Sequence, residues 1–519
     1  MENKRMNFFF RSGPFPLDPL RVRRLSPGKG FRMVRGVSAP SLLRAIGGML
    51  AAAALSAAQP PAHFTEKVLA ANATFTEATS MAHADDGRIF VSERGGNIKV
   101  IKGADAPVIY KVNTTVKREQ GLLKIQVHPG FAAKSWVYAY YTTADNHHHN
   151  VSRIGLDKDN NVVKVDTVIK LPALENQGRH NGSGMVFGKD GFLYVSRGQD
   201  ELGGASDPAA LWTSQKGKIL RFTEDGQPAP GNPHYAGGTA EEKSVWARGF
   251  RNPWTMAMDP VSGRILVGDV GDGTEEIDDV TRPDPAKDHW YGYGYGGGDG
   301  VGAAGGKAIE PIYFHPTGGA GECAIVAEVP YNAAVASNWP AEYKDRIYVA
   351  DYCGGAIRSV PLANPAAPVN LQAAGNGTVF YPDSPTKVGL SLGIDGNLYY
   401  AAYGSNKKAY VIAYNGPTGL RARAAARLTV RQAAFRMGTA ADVPFTLDGD
   451  ASLRDGGKAE FSVQGADGRV AFRQELEMRG DSFRARGFRP TAAGLYACRL
   501  SWKEEGAERR AYGRLIVLP

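Results

Sequence analysis

Asp190-Gly-Phe-Leu-Tyr-Val195 is a tight turn feeding an apolar strand, and the phrase returns along the chain. Its relatives are Asp86-Gly-Arg-Ile-Phe-Val91, Lys134-Ser-Trp-Val-Tyr138, Gly263-Arg-Ile-Leu-Val267, Asp345-Arg-Ile-Tyr-Val349 and Asp395-Gly-Asn-Leu-Tyr-Tyr400. Their starts are about 50 to 80 residues apart. A strand-forming unit repeated six times predicts an all-β fold of six blades. From about residue 62 onward, runs of β-branched and aromatic residues alternate with Gly, Pro, Asp and Asn, and long helical periodicity is almost absent. The expected fold is therefore a six-bladed β-propeller over 62–415. Blades of roughly 45 residues carry inserted loops, longest around 200–245 and 270–335, and these should build the mouth.

Beyond Tyr414 the composition changes. Asn415-Gly-Pro-Thr-Gly-Leu reads as a linker and Arg421 to Arg427 as an Arg/Ala-rich run, after which strands such as Lys458-Ala-Glu-Phe-Ser-Val463 and Arg469-Val-Ala-Phe-Arg473 resume. A second domain, an immunoglobulin-like β-sandwich over 424–519, is expected. Gly494-Leu-Tyr496-Ala-Cys498 resembles the tyrosine corner of such domains. No earlier cysteine is available as a partner there, so Cys498 should be a buried free thiol, in a module whose role is packing.

At the other end, Arg35 and Arg44 precede the weakly apolar run Ala45–Ala58, and Ser56-Ala57-Ala58 stands before Gln59-Pro60. Basic segment, apolar segment and small residues before a cleavage point are the order of a secretory signal. Residues 1–58 are expected to be a disordered extension, ahead of Met33, followed by a signal peptide, with the mature protein periplasmic or extracellular. The formal charge of +9 owes much to this region, through Arg21, Arg23, Arg24, Lys29, Arg32, Arg35 and Arg44. No basic face with interleaved stacking residues follows, which argues against nucleic-acid binding. No apolar run is long enough for a membrane span. Three cysteines and no Cys-x-x-Cys-His exclude a covalently attached c-type haem, so any electrons must leave to a separate acceptor.

Two segments offer chemistry. Gln177-Gly-Arg-His180-Asn181-Gly182-Ser183-Gly184 sets a histidine among small residues ahead of a strand, and a near-neutral imidazole is the common general base. Arg251-Asn252-Pro253, after Trp246-Ala-Arg248-Gly249-Phe250, holds a cation and an amide fixed by proline, equipment for an oxygen that gains negative charge. By themselves, a loop histidine and an Arg-Asn-Pro turn are as readily structural. The triplet His147-His148-His149 is expected to lie exposed in a polar loop.

Together these segments resemble the glucose/sorbosone dehydrogenase family, soluble propellers that bind pyrroloquinoline quinone (PQQ) and calcium. Further matches are Ser92-Glu-Arg-Gly-Gly96, Glu119-Gln-Gly-Leu-Leu123 with His128-Pro129, Gly217-Lys218-Ile-Leu-Arg221, Asp269-Val-Gly271 with Glu275-Glu-Ile-Asp278, and Ala350-Asp-Tyr-Cys-Gly354. The resemblance covers about residues 75–415. It implies that His180 takes the proton of a sugar's anomeric hydroxyl and that Arg251 and Asn252 bind the quinone. It implies also that calcium is held at Gly271 and Asp272, partly through backbone carbonyls. Where the family carries a basic pair before the last blade's Asp-Gly, this chain has Thr386-Lys387-Val388-Gly389, so Lys387 is the candidate replacement. A basic residue is likewise missing at Ala327-Glu328-Val329. The implied activity is oxidation of an aldose or related sugar. The alternatives are a non-redox propeller binding glycans or protein, and a calcium-dependent hydrolase on the same scaffold. Cys323 and Cys353, both near glycines in this part of the chain, are expected to form a disulfide, as export would permit.

Overall fold

In the computed structural model the recurring phrase lands in one place each time. Its six copies feed the strands Ile89–Glu93, Trp136–Thr142, Leu193–Arg197, Ile265–Asp269, Arg346–Asp351 and Leu398–Ala402, each the second strand of a separate sheet and antiparallel to its neighbours. The structure describes residues 60–416 apart from 175–177, 201–206, 295–304, 319–321, 374 and 383–385, and beyond them the strands between 427 and 518. The expected signal segment, 1–58, lies outside the described residues.

The Asp-Gly pairs explain themselves. Gly191 and Gly396 take φ of +82° and +74°, which glycine adopts without strain. Asp190 accepts the Phe192 N–H and the Tyr194 hydroxyl, the latter at 2.9 Å. Asp395 repeats the device with the Asn397 N–H and the Tyr399 hydroxyl, at 3.1 and 2.8 Å. One carboxylate thus ties the turn to the strand it feeds.

The first strands of the six sheets are Ala78–His83, Leu122–Val127, Met185–Phe187, Pro253–Met258, Ile325–Tyr331 and Lys387–Leu392. Each packs against the next in this order, and Lys387–Leu392 packs against Ala78–His83. Six apolar clusters follow the same order, each filled from two consecutive sheets. Phe90 and Ile125 meet between the first and second, Tyr140 and Met185 between the second and third, and Val186 and Val267 between the third and fourth. Leu266 and Ile347 join the fourth to the fifth, Tyr348 and Tyr400 the fifth to the sixth, and Val91 and Ala401 the sixth to the first. Three of the sheets are built of four consecutive strands; the fourth adds Val369–Asn370 in parallel beside Tyr313–Pro316, the fifth ends on Thr378–Tyr381, and the sixth is completed by the N-terminal strand Phe64–Leu69, paired antiparallel with Ala409–Tyr414. Its side chain Phe64 is clasped edge-on by Trp339, Tyr343, Phe380 and Tyr414. The fold is all-β, and helices among the described residues are single turns.

Cys323 and Cys353 are joined, with Cα atoms 5.5 Å apart. This meets the expectation and fits the geometry of a disulfide. The chain divides into two compact units at Asn415 and Gly416. The second is also all-β. Its strands follow one hydrogen-bonded path, from Val470–Glu477 through Lys458–Gln464, Gly494–Glu504, Ala507–Leu518, Arg427–Val430 and Ala441–Asp448 to Ser482–Phe488. The ends of the path meet through Phe472 and Phe488, ring centroids 5.7 Å apart. Cys498 is a buried free thiol, as expected, and burial pushes its pKa up to about 12.

Candidate functional site

The segments bearing His180, Arg251 and Asn252 each lead into the first strand of a sheet, the third for His180 and the fourth for the other two. A carboxylate at the end of the neighbouring second strand fixes the latter: Asp269 accepts the N–H of Arg251 at 2.9 Å and that of Asn252 at 2.7 Å. Pro253, with no N–H of its own, begins the strand. The device recurs in the fifth sheet, where Asp351 accepts the N–H groups of Cys323 and Ala324, and in the first, where Glu93 accepts that of Thr76.

The two segments are stitched together along the backbone. Gly182 donates its N–H to Asn252 Oδ1 at 2.9 Å. Gln199 N–H donates to the Arg251 carbonyl at 2.9 Å, and the next residue, Asp200, donates to the His180 carbonyl at 3.2 Å. Two adjacent peptide groups therefore hold His180 and Arg251 side by side. The fit leaves no room: a Cβ on Gly198 would stand 2.0 Å from the His180 carbonyl oxygen, and one on Gly182 2.6 Å from the Gly198 nitrogen. His180 itself takes φ of +49°, an unusual conformation for a non-glycine residue that the surrounding bonds must hold.

Glu119 completes the junction. Its carboxylate lies 3.5 Å from Asn181 Nδ2 and 3.4 Å from Asn252 Nδ2, with the backbone N–H groups of Asn181 and His180 near enough to favour its charged form. Burial raises its pKa, while these donors and the charge of Arg251 pull it down. Sequence reading quoted Glu119 as a motif residue without a role, since the groups it gathers come from two other sheets. Burial likewise dominates at His180, lowering its imidazole pKa to about 3, with Arg251 and then Arg179 opposing a further positive charge. Its Nδ1 is buried and has no hydrogen-bond partner among the described residues, as is true of Gln199 Oε1 and both amide atoms of Gln120.

Arg251 reaches the following loop. Nη1 donates to the Val270 and Gly271 carbonyls at 2.8 and 3.1 Å, and Nη2 pairs with Asp272 at 2.9 Å. Gly271 and Asp272, expected to hold calcium, thus belong to the same cluster as His180, Arg251 and Asn252. The donor set is carbonyl and carboxylate oxygen converging on a positive charge, which suits a hard cation. The same oxygens now serve the guanidinium, so a metal ion there would compete with Arg251 for them. For a quinone bearing carboxylates, Arg251 is the permanent cation nearby, while Asn252 has already committed its oxygen to Gly182.

Lys387 is placed differently. It opens the first strand of the sixth sheet, is 1% exposed, donates to the Gly355 carbonyl and lies 5.6 Å from the centre of the Tyr400 ring. The expectation for the histidine triplet needs correcting. His147 is exposed, but His149 is fully buried at the start of a strand, between Tyr140 and Asn181. The cluster Cys323, Asp351 and Cys353 has the proximity of metal ligands, but its sulfurs are joined in the disulfide and supply no thiolate. No helix among the described residues is long and apolar enough to cross a membrane.

Residues 75–301 match the family described as Glucose / Sorbosone dehydrogenase. The chain is 27% identical over 204 residues to aldose sugar dehydrogenase YliI of Escherichia coli, a stretch of 37% of this chain and 53% of that protein. It is also 27% identical over 213 residues to human Hedgehog-interacting protein, 34% of this chain and 29% of that one. The chain spans about half the length, or less, of these curated relatives. Among solved structures, the PQQ-bound aldose sugar dehydrogenase of Streptomyces coelicolor superposes with a TM-score of 0.51 at 23% identity, covering 68% of this chain and 98% of that one. The apo form of the soluble Escherichia coli enzyme gives 0.54 at 20%, covering 68% and 100%. At such identities the superpositions speak for the fold.

Proposed function

Because this chain carries the glucose/sorbosone dehydrogenase pattern over residues 75–301, we propose that its six sheets are the blades of a propeller and that it oxidises an aldose or related sugar at the anomeric carbon, using PQQ and calcium. The observation that carries the reading is the stitching of His180 to Arg251 and Asn252 through Gln199, Asp200, Gly182 and Glu119. In this reading His180 is the general base. An imidazole held neutral by burial has a lone pair free at every physiological pH. Its Nδ1 being buried, Nε2 is the nitrogen left to accept the proton of the anomeric hydroxyl. An anion at Arg251 would offset one of the charges that depress this base and bring its pKa nearer the working pH. Arg251 and Asn252 would bind the cofactor, Lys387 would add positive charge, and Gly271 and Asp272 would hold the metal ion. The bound quinone supplies the hydride acceptor, and calcium a charge that polarises it.

The disulfide supports export to the periplasm or beyond, since such bonds persist in oxidising compartments. A separate electron acceptor would then reoxidise the cofactor. The second domain is proposed as an immunoglobulin-like packing module. One observation favours a second reading, a non-redox propeller that binds glycan or protein. Arg251 is already satisfied by three oxygens of the loop after it, and human Hedgehog-interacting protein is 27% identical over 213 residues.

Dye-linked oxidation of a sugar panel, with quinone and calcium added, separates the two. Sugar-dependent reduction should require calcium. His180→Gln should lower turnover by about a hundred- to ten-thousand-fold while changing cofactor affinity far less. Absence of quinone binding to the folded protein, by calorimetry in calcium, would sink the dehydrogenase reading and leave the binding propeller.

A further inference from the structure

We propose that His149 is a positioning residue for the His180 site, an inference that rests on the dehydrogenase reading for its catalytic meaning but on geometry for its structural one. His149 opens the strand His149–Leu156 of the second sheet and is fully buried. Its Nδ1 lies 2.9 Å from the Tyr140 hydroxyl and its Nε2 3.0 Å from Asn181 Oδ1. An amide oxygen can only accept, so Nε2 carries the hydrogen. Nδ1 is then the acceptor, and Tyr140 donates to it. Burial, and next the charge of Arg197, keep the ring neutral, lowering its pKa to about 3. The imidazole is a fixed donor in a fixed tautomer.

That donor decides which way Asn181 faces. With Oδ1 held by His149, Asn181 Nδ2 is turned to Glu119 Oε2 at 3.5 Å, the oxygen that also lies 3.4 Å from Asn252 Nδ2. The backbone N–H groups of Asn181 and His180 also favour the charged form of Glu119. The chain Tyr140, His149, Asn181, Glu119, Asn252 crosses the second, third and fourth sheets and closes on the Gly182 N–H. His180 needs such support. Its backbone sits at positive φ and its Nδ1 has no partner among the described residues. Its orientation must come from the residues on either side of it.

The test compares wild type with His149→Leu, which removes the donor, and His149→Gln, whose amide N–H can reach the same Asn181 oxygen. Amide hydrogen exchange needs no cofactor. His149→Leu should speed exchange at His180, Asn181 and Gly182 by at least about tenfold, leaving the fifth and sixth sheets at wild-type rates, and His149→Gln should restore protection. Where wild type oxidises sugar, His149→Leu should lower kcat by about ten- to a hundredfold with little change in KM. Unchanged exchange at 180–182 in His149→Leu would overturn the proposal. So would acceleration spread evenly over all six sheets, the mark of general destabilisation. A wild type that turns over no sugar would remove the proposed function, yet the exchange comparison would still decide whether His149 sets this loop.

Discussion

Asp269 is the residue on which the Arg251–Asn252 segment hangs, and replacing it gives a quantity that can be worked out in advance. Its carboxylate accepts two backbone N–H groups at 2.9 and 2.7 Å, and the side chain is buried, at 5% exposure. Hydrogen bonds to a charged group contribute about 1.5–3 kcal/mol each, and a buried donor left without an acceptor costs its desolvation. Asp269→Ala orphans both donors, so a loss of roughly 3–5 kcal/mol is expected. Asp269→Asn keeps one acceptor oxygen but turns an NH2 toward the second donor, and should cost about half as much. Urea unfolding followed by tryptophan fluorescence reports the right unit, because Trp502 is the single tryptophan beyond Asn415. A loss below about 1 kcal/mol in Asp269→Ala would show that these bonds are replaceable by water and that the carboxylate does not hold the segment.

Three further outcomes follow from the same structure. Cys323 and Cys353 close a loop of 30 residues, so replacing both with serine should lower stability by about 3–4 kcal/mol in a denaturant titration. Burial pushes Glu275 up to about 8 from an ordinary 4.5, with Asp351 and Asp269 adding to the shift against the opposing Ile325 and Thr317 donors. The folded state therefore holds a proton that the unfolded state has released. Stability should fall as pH rises from 4.5 to about 8, with a slope of up to about 1.4 kcal/mol per pH unit, and Glu275→Gln should flatten that slope. Lastly, Arg251→Met should tighten binding of calcium alone by at least about tenfold in calorimetry, because it removes the cation that shares the Gly271 and Asp272 oxygens. Unchanged or weaker binding would place any calcium elsewhere.

What could be read from the sequence was local. The six phrases announced the second strands because a turn, Asp-Gly in three of them, and the strand it feeds are contiguous in the chain, and Asp190 with Tyr194 is a contact across four residues. The closure of the sixth sheet was not readable. Phe64–Leu69 pairs with a strand about 350 residues away, and nothing in its own pattern names that partner. The single hydrogen-bonded path of the second unit escaped for the same reason. Alternation shows which residues face inward, but a parallel join such as Arg427 with Tyr512 leaves no mark in either strand.

The site divides along the same line, and the division explains why the roles of Glu119 and His149 could not be read from the sequence. His180, Arg251 and Asn252 could be singled out because glycine and proline around them mark a constrained backbone within a few residues. Glu119 acts on groups 61 to 133 residues away in sequence, and its neighbours Gln120 and Gly121 give no hint of that. His149 was misjudged because the polar stretch before it, Thr142 to His148, suits an exposed loop, whereas the strand begins at the third histidine of the triplet. Over two residues the imidazoles pass from exposed at His147, through half-buried at His148, to fully buried at His149. Desolvation at that position excludes its charged form and limits it to donating from Nε2. Residue identity alone would have allowed a metal ligand, a surface group or a base, and it is the burial that selects a neutral positioning donor.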